Sequence, residues 1–174
     1  MDSFENIMTR KSIREYSSRP VSNADIEKIL RAGMSGPSCV NARDWAFLVV
    51  KDKEQLELMA DANGKYAAPL KNAPLGILIC GDLSRAFKEA EDYWIIDGAI
   101  AAQNMILCAH GLGIGSVWLG TWPQVERVEN QRNLFSLPDH IIPHSVIAFG
   151  YPDEDIDLSK PDTFEEDLVH YEKW

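Results

Sequence analysis

The chain has 174 residues, 45% of them hydrophobic and 25% charged, with a formal net charge of −10. That length carries one domain with a core of its own and is short for two. The acidic balance argues against nucleic acid and anionic membranes as partners. Three widely spaced cysteines, Cys39, Cys80 and Cys108, suggest no disulfide framework and fit a reducing cytoplasm.

The first residues lack an apolar stretch of the kind a secretory leader needs, so a cytoplasmic location is expected. Phe4, Ile7 and Met8 mark a short amphipathic helix. Ser22 and Asp25 form a variant capping box, and Ile26, Ile29 and Leu30 begin a helical stripe that ends near Gly36-Pro37. Residues 45–50 are a continuous apolar strand, 53–62 a surface helix and 75–80 a second buried strand. The longest helix is expected over 93–110. It is apolar nearly all round and so buried on every side, by its own sheet or by a partner subunit. Asp97, Gln103 and Asn104 interrupt its apolar run, which is too short and too polar to span a bilayer. After Gly111-Leu112-Gly113 come a strand over 115–119, a helix opened by Thr121 and Pro123, and a strand over 145–150. Short continuous apolar strands imply a sheet covered on both faces. The acidic tail, 151–174, cannot form a core alone, yet it carries Phe164, Leu168, Val169, Tyr171 and Trp174 and should dock on something.

Arg10-Lys11-Ser12-Ile13-Arg14 puts three positive charges beside a hydroxyl in an acidic protein. In an extended segment Arg10, Ser12 and Arg14 would point one way and Lys11 the other, a patch suited to a phosphate because guanidinium donates bidentately. A solvated basic turn after the first helix is the plain alternative. Other motifs lead nowhere. The glycines at 111, 113 and 115 follow a helix and open a strand, the reverse of a dinucleotide loop. His140 and His144 are four apart, but Pro143 between them breaks the helix that would present both to a metal, so no metal site is expected. Cys39 reads as a packing residue rather than a reactive thiol, and Asp97 with Asn104 as a satisfied buried polar pair. Without an acid–base pair, metal or nucleophile, the chemistry falls to a bound cofactor.

These motifs together resemble the nitroreductase family. Residues 10–14 resemble its opening Arg-x-Ser-x-Arg, and 37–45 its Pro-Ser-x-x-Asn-x-Gln-Pro-Trp segment. Asp97, Gln103-Asn104, Gly111-Leu112-Gly113 and Trp118-Leu119-Gly120 are similar to its central helix and the turn that follows. Gly150-Tyr151-Pro152 and Val169-His170-Tyr171 resemble the tail of its short members. The resemblance implies an α+β fold in one domain, 1–174: a mixed, largely antiparallel sheet flanked by helices, in a homodimer whose 151–174 tail packs on the partner. It implies FMN at the subunit interface. Arg10, Ser12 and Arg14 would grip the 5′-phosphate, with Lys11 helping. Pro37, Ser38, Cys39 and Asn41 would come from the other subunit, and the Leu119 and Gly120 N–H groups would lie near flavin N5 and O4. No side chain is assigned a catalytic role.

The implied activity passes hydride equivalents from NADH or NADPH through FMN to a nitroaromatic, quinone or related small aromatic acceptor in a ping-pong cycle. The alternatives are a flavin-storage protein without catalysis, a reductive dehalogenase or flavin-modifying relative on the same fold, and a structural dimer without cofactor. The chain departs from the pattern at Arg43-Asp44, where the family has Gln-Pro, and at Thr163, where short members carry a phosphate-binding Arg that Lys160 would replace.

Overall fold

The computed structural model describes residues 2–153 and 159–174. Helix α1 (Ser3–Thr9) opens where the Asp2 carboxylate accepts the Glu5 N–H at 2.8 Å. Helix α2 (Asn23–Met34) opens on Ser22, whose Oγ accepts the Asp25 N–H and in turn donates to the Asp25 carboxylate. The capping box thus closes through the hydroxyl rather than through the backbone N–H of Ser22.

Strands β1 (Trp45–Val50), β2 (Leu75–Asp82), β3 (Gly115–Gly120) and β4 (Ile141–Gly150) form one sheet in the order β1-β2-β4-β3, antiparallel throughout. The parallel pairing is confined to an isolated bridge between Ser12 and Ser116. Between them lie helices α3 (Lys53–Asn63), α4 (Tyr93–Gly111) and α5 (Val125–Phe135). As the apolar runs required, the sheet is covered on both faces. Ile77, Ile79, Ile147 and Phe149 pack with residues of α2 and α4, while Leu78, Val146 and Ala148 pack with residues of α3. Each of these side chains larger than alanine, taken fully from water, contributes about 1.5–3 kcal/mol. Gly33 lets α2 approach α4, because a Cβ there would sit 2.8 Å from the Met105 side chain.

Several expectations change. Helix α5 begins at Val125, not at Thr121, whose hydroxyl instead donates to Asn63 Oδ1 at 2.7 Å. A short 3₁₀ segment, Lys65–Asn72, lies where no element was expected, and β4 starts at Ile141, ahead of the apolar run. Helix α4 is not enclosed on all sides within one chain. Trp94, Ala101, Ala102, Met105 and Ala109 are buried, but Tyr93 and Ile96 are exposed. The tail from residue 159 stays on the surface, with Phe164 73% and Trp174 100% exposed. Residues 154–158 of the expected tail lie outside the described residues.

Candidate functional site

The cationic segment runs along the edge strand β3. Ile13 donates its N–H to Ser116 O at 2.8 Å and buries its side chain, 4% exposed. Alternation then turns Ser12 and Arg14 outward and half-buries Arg10. Lys11 departs the other way, and its Nζ donates to Ser159 O of the tail at 2.9 Å. The Tyr16 hydroxyl donates to Ile13 O at 2.6 Å and fixes the far end of the segment.

Positive charge gathers at the Arg10 end. Burial, and then the fields of Arg10 and Lys160, push His110 below the ordinary imidazole range. The Thr9 hydroxyl donates to Glu5 O at 2.7 Å, so His110 Nε2 acts as donor in its 2.9 Å contact with Thr9 Oγ1. At the other end Arg14 lines a cavity of about 210 Å³ with Asn63, Tyr66, Trp118, Leu119, Gly120 and Arg127. Four extended residue steps lead from Arg10 to Arg14, a rise of about 13 Å. The segment is therefore long enough to follow a whole mononucleotide.

Gly120 is pinned by residues that sequence reasoning missed. Its carbonyl accepts from Arg127 Nη1 at 2.8 Å and from Asn63 Nδ2 at 3.3 Å. Asn63 is buried, 2% exposed, and reads in sequence only as the end of a helix before Gly64. Arg127 reads as one more charge on a polar helix. No local signal ties either to Gly120, 57 residues from Asn63.

Pro37, Ser38, Cys39 and Asn41 lie elsewhere. Their segment leads into β1, at the same end of the sheet as Gly120 but along the opposite edge. Three strand spacings of about 4.8 Å put roughly 14 Å of sheet between the two groups. The Cys39 N–H donates to Asp97 Oδ2 at 2.9 Å, and Ser38 Oγ accepts the Arg43 N–H at 2.9 Å. Asp97 is thus structurally engaged. Val40, Asn41 and Arg43 adopt φ of 44°, 59° and 53°, the left-handed region that costs L-residues energy, most for the β-branched Val40. Burial raises the Cys39 thiol pKa, and the fields of Asp97 and Asp44 add to it, which suits a packing residue better than a nucleophile.

His144 is committed within the fold. Its Nε2–H donates to Ile95 O and its Nδ1 accepts from Ser145 Oγ, both at 3.0 Å. Trp94 and Trp118 each meet the His144 ring edge-on, at centroid distances of 5.9 and 5.7 Å. Among the described residues, no helix is long and apolar enough to cross a membrane.

The model of a family described as the nitroreductase family matches residues 7–151. A protein of Methanothermobacter thermautotrophicus, provisionally named NADH dehydrogenase/NAD(P)H nitroreductase, is 46% identical over 100% of this chain and 88% of its own length. A crystal structure from Clostridium acetobutylicum, provisionally called an NADH oxidase, superposes with a TM-score of 0.91 at 39% identity, covering 97% of this chain and 99% of that one. An FMN-dependent nitroreductase from Clostridium difficile superposes with a TM-score of 0.88 at 32% identity, covering 98% and 99%.

Proposed function

The chain belongs to the nitroreductase family, and from that premise we propose an FMN-dependent oxidoreductase that passes hydride equivalents from NADH or NADPH to a nitroaromatic, quinone or related small acceptor. The observation that carries this reading is the cationic segment laid along β3, which ends in the cavity formed with Leu119 and Gly120. The residues fit the cofactor. Arg10 and Ser12 supply the donors and charge that a phosphate of about −1.5 to −2 requires, while Lys11 is turned to Ser159 O of the tail. Arg14, with Arg127 and Asn63, faces the ring end. FMN supplies the hydride transfer itself. The protein's part is to grip the phosphate, hold the ring in the cavity between apolar Leu119 and Trp118 and polar Arg14, Asn63 and Arg127, and aim N–H groups at its polar edge.

The working unit is a homodimer. The cavity, at about 210 Å³, falls below the roughly 300–1,000 Å³ of complete small-molecule sites. The segment carrying Pro37, Ser38, Cys39 and Asn41 is too far across its own sheet to close it. A second copy, seated on the exposed Tyr93 and Ile96 of α4 and the apolar tail, would bring that segment over the ring; such interfaces commonly exceed about 2,000 Å². Donor and acceptor then use one open ring face in turn, a ping-pong cycle, and a cytoplasmic location suits the free thiols.

Purified protein should be yellow, should bleach anaerobically with NADH or NADPH, and should recover with menadione or nitrofurazone. A colourless monomer that ignores added FMN overturns the reading. A yellow protein that turns over no acceptor favours flavin storage.

A further inference from the structure

Asp44 and Asp97 are carboxylates enclosed by the core, 1% and 2% exposed. A buried carboxylate ordinarily sits against a cation or several N–H donors. Asp97 has the Cys39 N–H. Both side-chain oxygens of Asp44 are buried without a hydrogen-bond donor, and Asp97 is the neighbour whose charge and carboxyl act on it most. Two such groups cannot both ionise cheaply away from water, whereas one proton between them converts repulsion into a short charge-assisted bond.

We propose that Asp44 and Asp97 share one proton, with Asp44 donating to Asp97, and that the protonated pair is the positioning device holding residues 37–43 against α4. The backbone argues for such a tie. Asp44 O accepts the Asp82 N–H at 2.8 Å, which fixes the start of β1 to the end of β2. Asp97 then passes the restraint to Cys39, at the head of a segment whose left-handed Val40, Asn41 and Arg43 would not hold that shape unaided. Arg85, after β2, is the cation whose field opposes the arrangement, and the Cys39 thiol feels the charge of both carboxylates. Burial first, and the Asp97 charge second, raise Asp44 to about 6. Ionisation of both carboxyls above that range forces them apart and loosens the segment. Its consequence for the cofactor rests on the proposed FMN site, because residues 37–41 are half of that site.

The test uses the full chain and a flavin-independent readout. Carboxyl-carbon NMR should show Asp44 titrating at least about one pH unit above an ordinary aspartate. Hydrogen-exchange protection of the Cys39 amide should fall several-fold across that titration in the parent and stay level in Asp44→Asn, whose amide can donate at any pH. The FMN Kd of the parent, taken relative to Asp44→Asn, should rise several-fold between about pH 5 and about pH 8. Asp97→Asn provides the reciprocal variant, in which Asp44 should titrate lower than in the parent, because the Asp97 charge is gone while burial still holds it up. An ordinary Asp44 in the parent, or parallel Cys39 protection in parent and variant, overturns the inference. A shifted Asp44 with responsive Cys39 protection, in a protein that binds no FMN at any pH, upholds the acid pair and removes the flavin reading.

Discussion

Gly115 shows how a single methyl group would reach the cofactor through the fold. A Cβ at this position would lie 2.8 Å from both Cβ and Cγ1 of Ile13 and 3.0 Å from its Cγ2. Ordinary carbon contacts begin near 3.5 Å, so the overlap is about 0.7 Å. Overpacking of this kind costs about 1–3 kcal/mol. The sheet resists movement because Gly115 pairs with Gly150 and β3 is laddered to β4 along its length. The segment 10–14 is the softer side, held to β3 by the Ile13 N–H to Ser116 O bond and the burial of Ile13. Gly115→Ala should therefore displace Arg10, Ser12 and Arg14 while leaving the sheet intact. If the whole cost appears in cofactor affinity, the FMN Kd rises about 5- to 150-fold. Fluorescence titration with FMN, with circular dichroism to confirm the fold, measures it. Adding Ile13→Ala removes the two Cγ overlaps and should restore part of the affinity. An unchanged Kd together with an unchanged Tm would refute the claim that Ile13 ties the cationic segment to β3.

Two other outcomes follow from buried polar groups. Burial holds His144 below the ordinary imidazole pKa, so the unfolded chain binds its proton more readily. The stability it contributes is complete above about pH 6.5 and is lost as pH falls through that range; thermal melts of His144→Gln should show a shallower acid decline than the parent, and parallel declines would contradict this. Thr121→Val keeps the side-chain shape but leaves Asn63 Oδ1 without the Thr121 hydroxyl. The cost should be about 1–3 kcal/mol, read as a Tm lowered by about 2–4 °C per kcal/mol, and no shift would remove the Asn63–Thr121 bond from the account.

The strands and the long helix could be read from the sequence because their signals are local. The runs at 45–50 and 75–80 are continuous and apolar, and they became β1 and β2 with at most two residues added. Thr121 before Pro123 imitates a helix start, but its hydroxyl is claimed by Asn63, 58 residues away, and the helix waits until Val125. Arg10 through Arg14 stood out by charge, and alternation gave their facing; the same local pattern could not show that Arg14 reaches a cavity shared with Arg127. Asp44 misleads most. In sequence it stands out only as a departure from the family's Gln-Pro, and nothing local signals that it is buried, with Asp97 of the second turn of α4 acting on it. Wherever the deciding partner is far along the chain, composition and periodicity carry no trace of it.

The placement of residues 10–14 and 37–41 along opposite borders of one sheet carries a genetic corollary. Take one polypeptide crippled at Arg14 and another crippled at Asn41, each inert alone. In the proposed homodimer, mixed pairs of the two would assemble one sound chamber from the undamaged pieces of each and one chamber bearing both lesions. Co-expression would then revive a fraction of turnover that neither parent possesses, and that rescue would reveal shared ownership of the pocket without any image of the assembly.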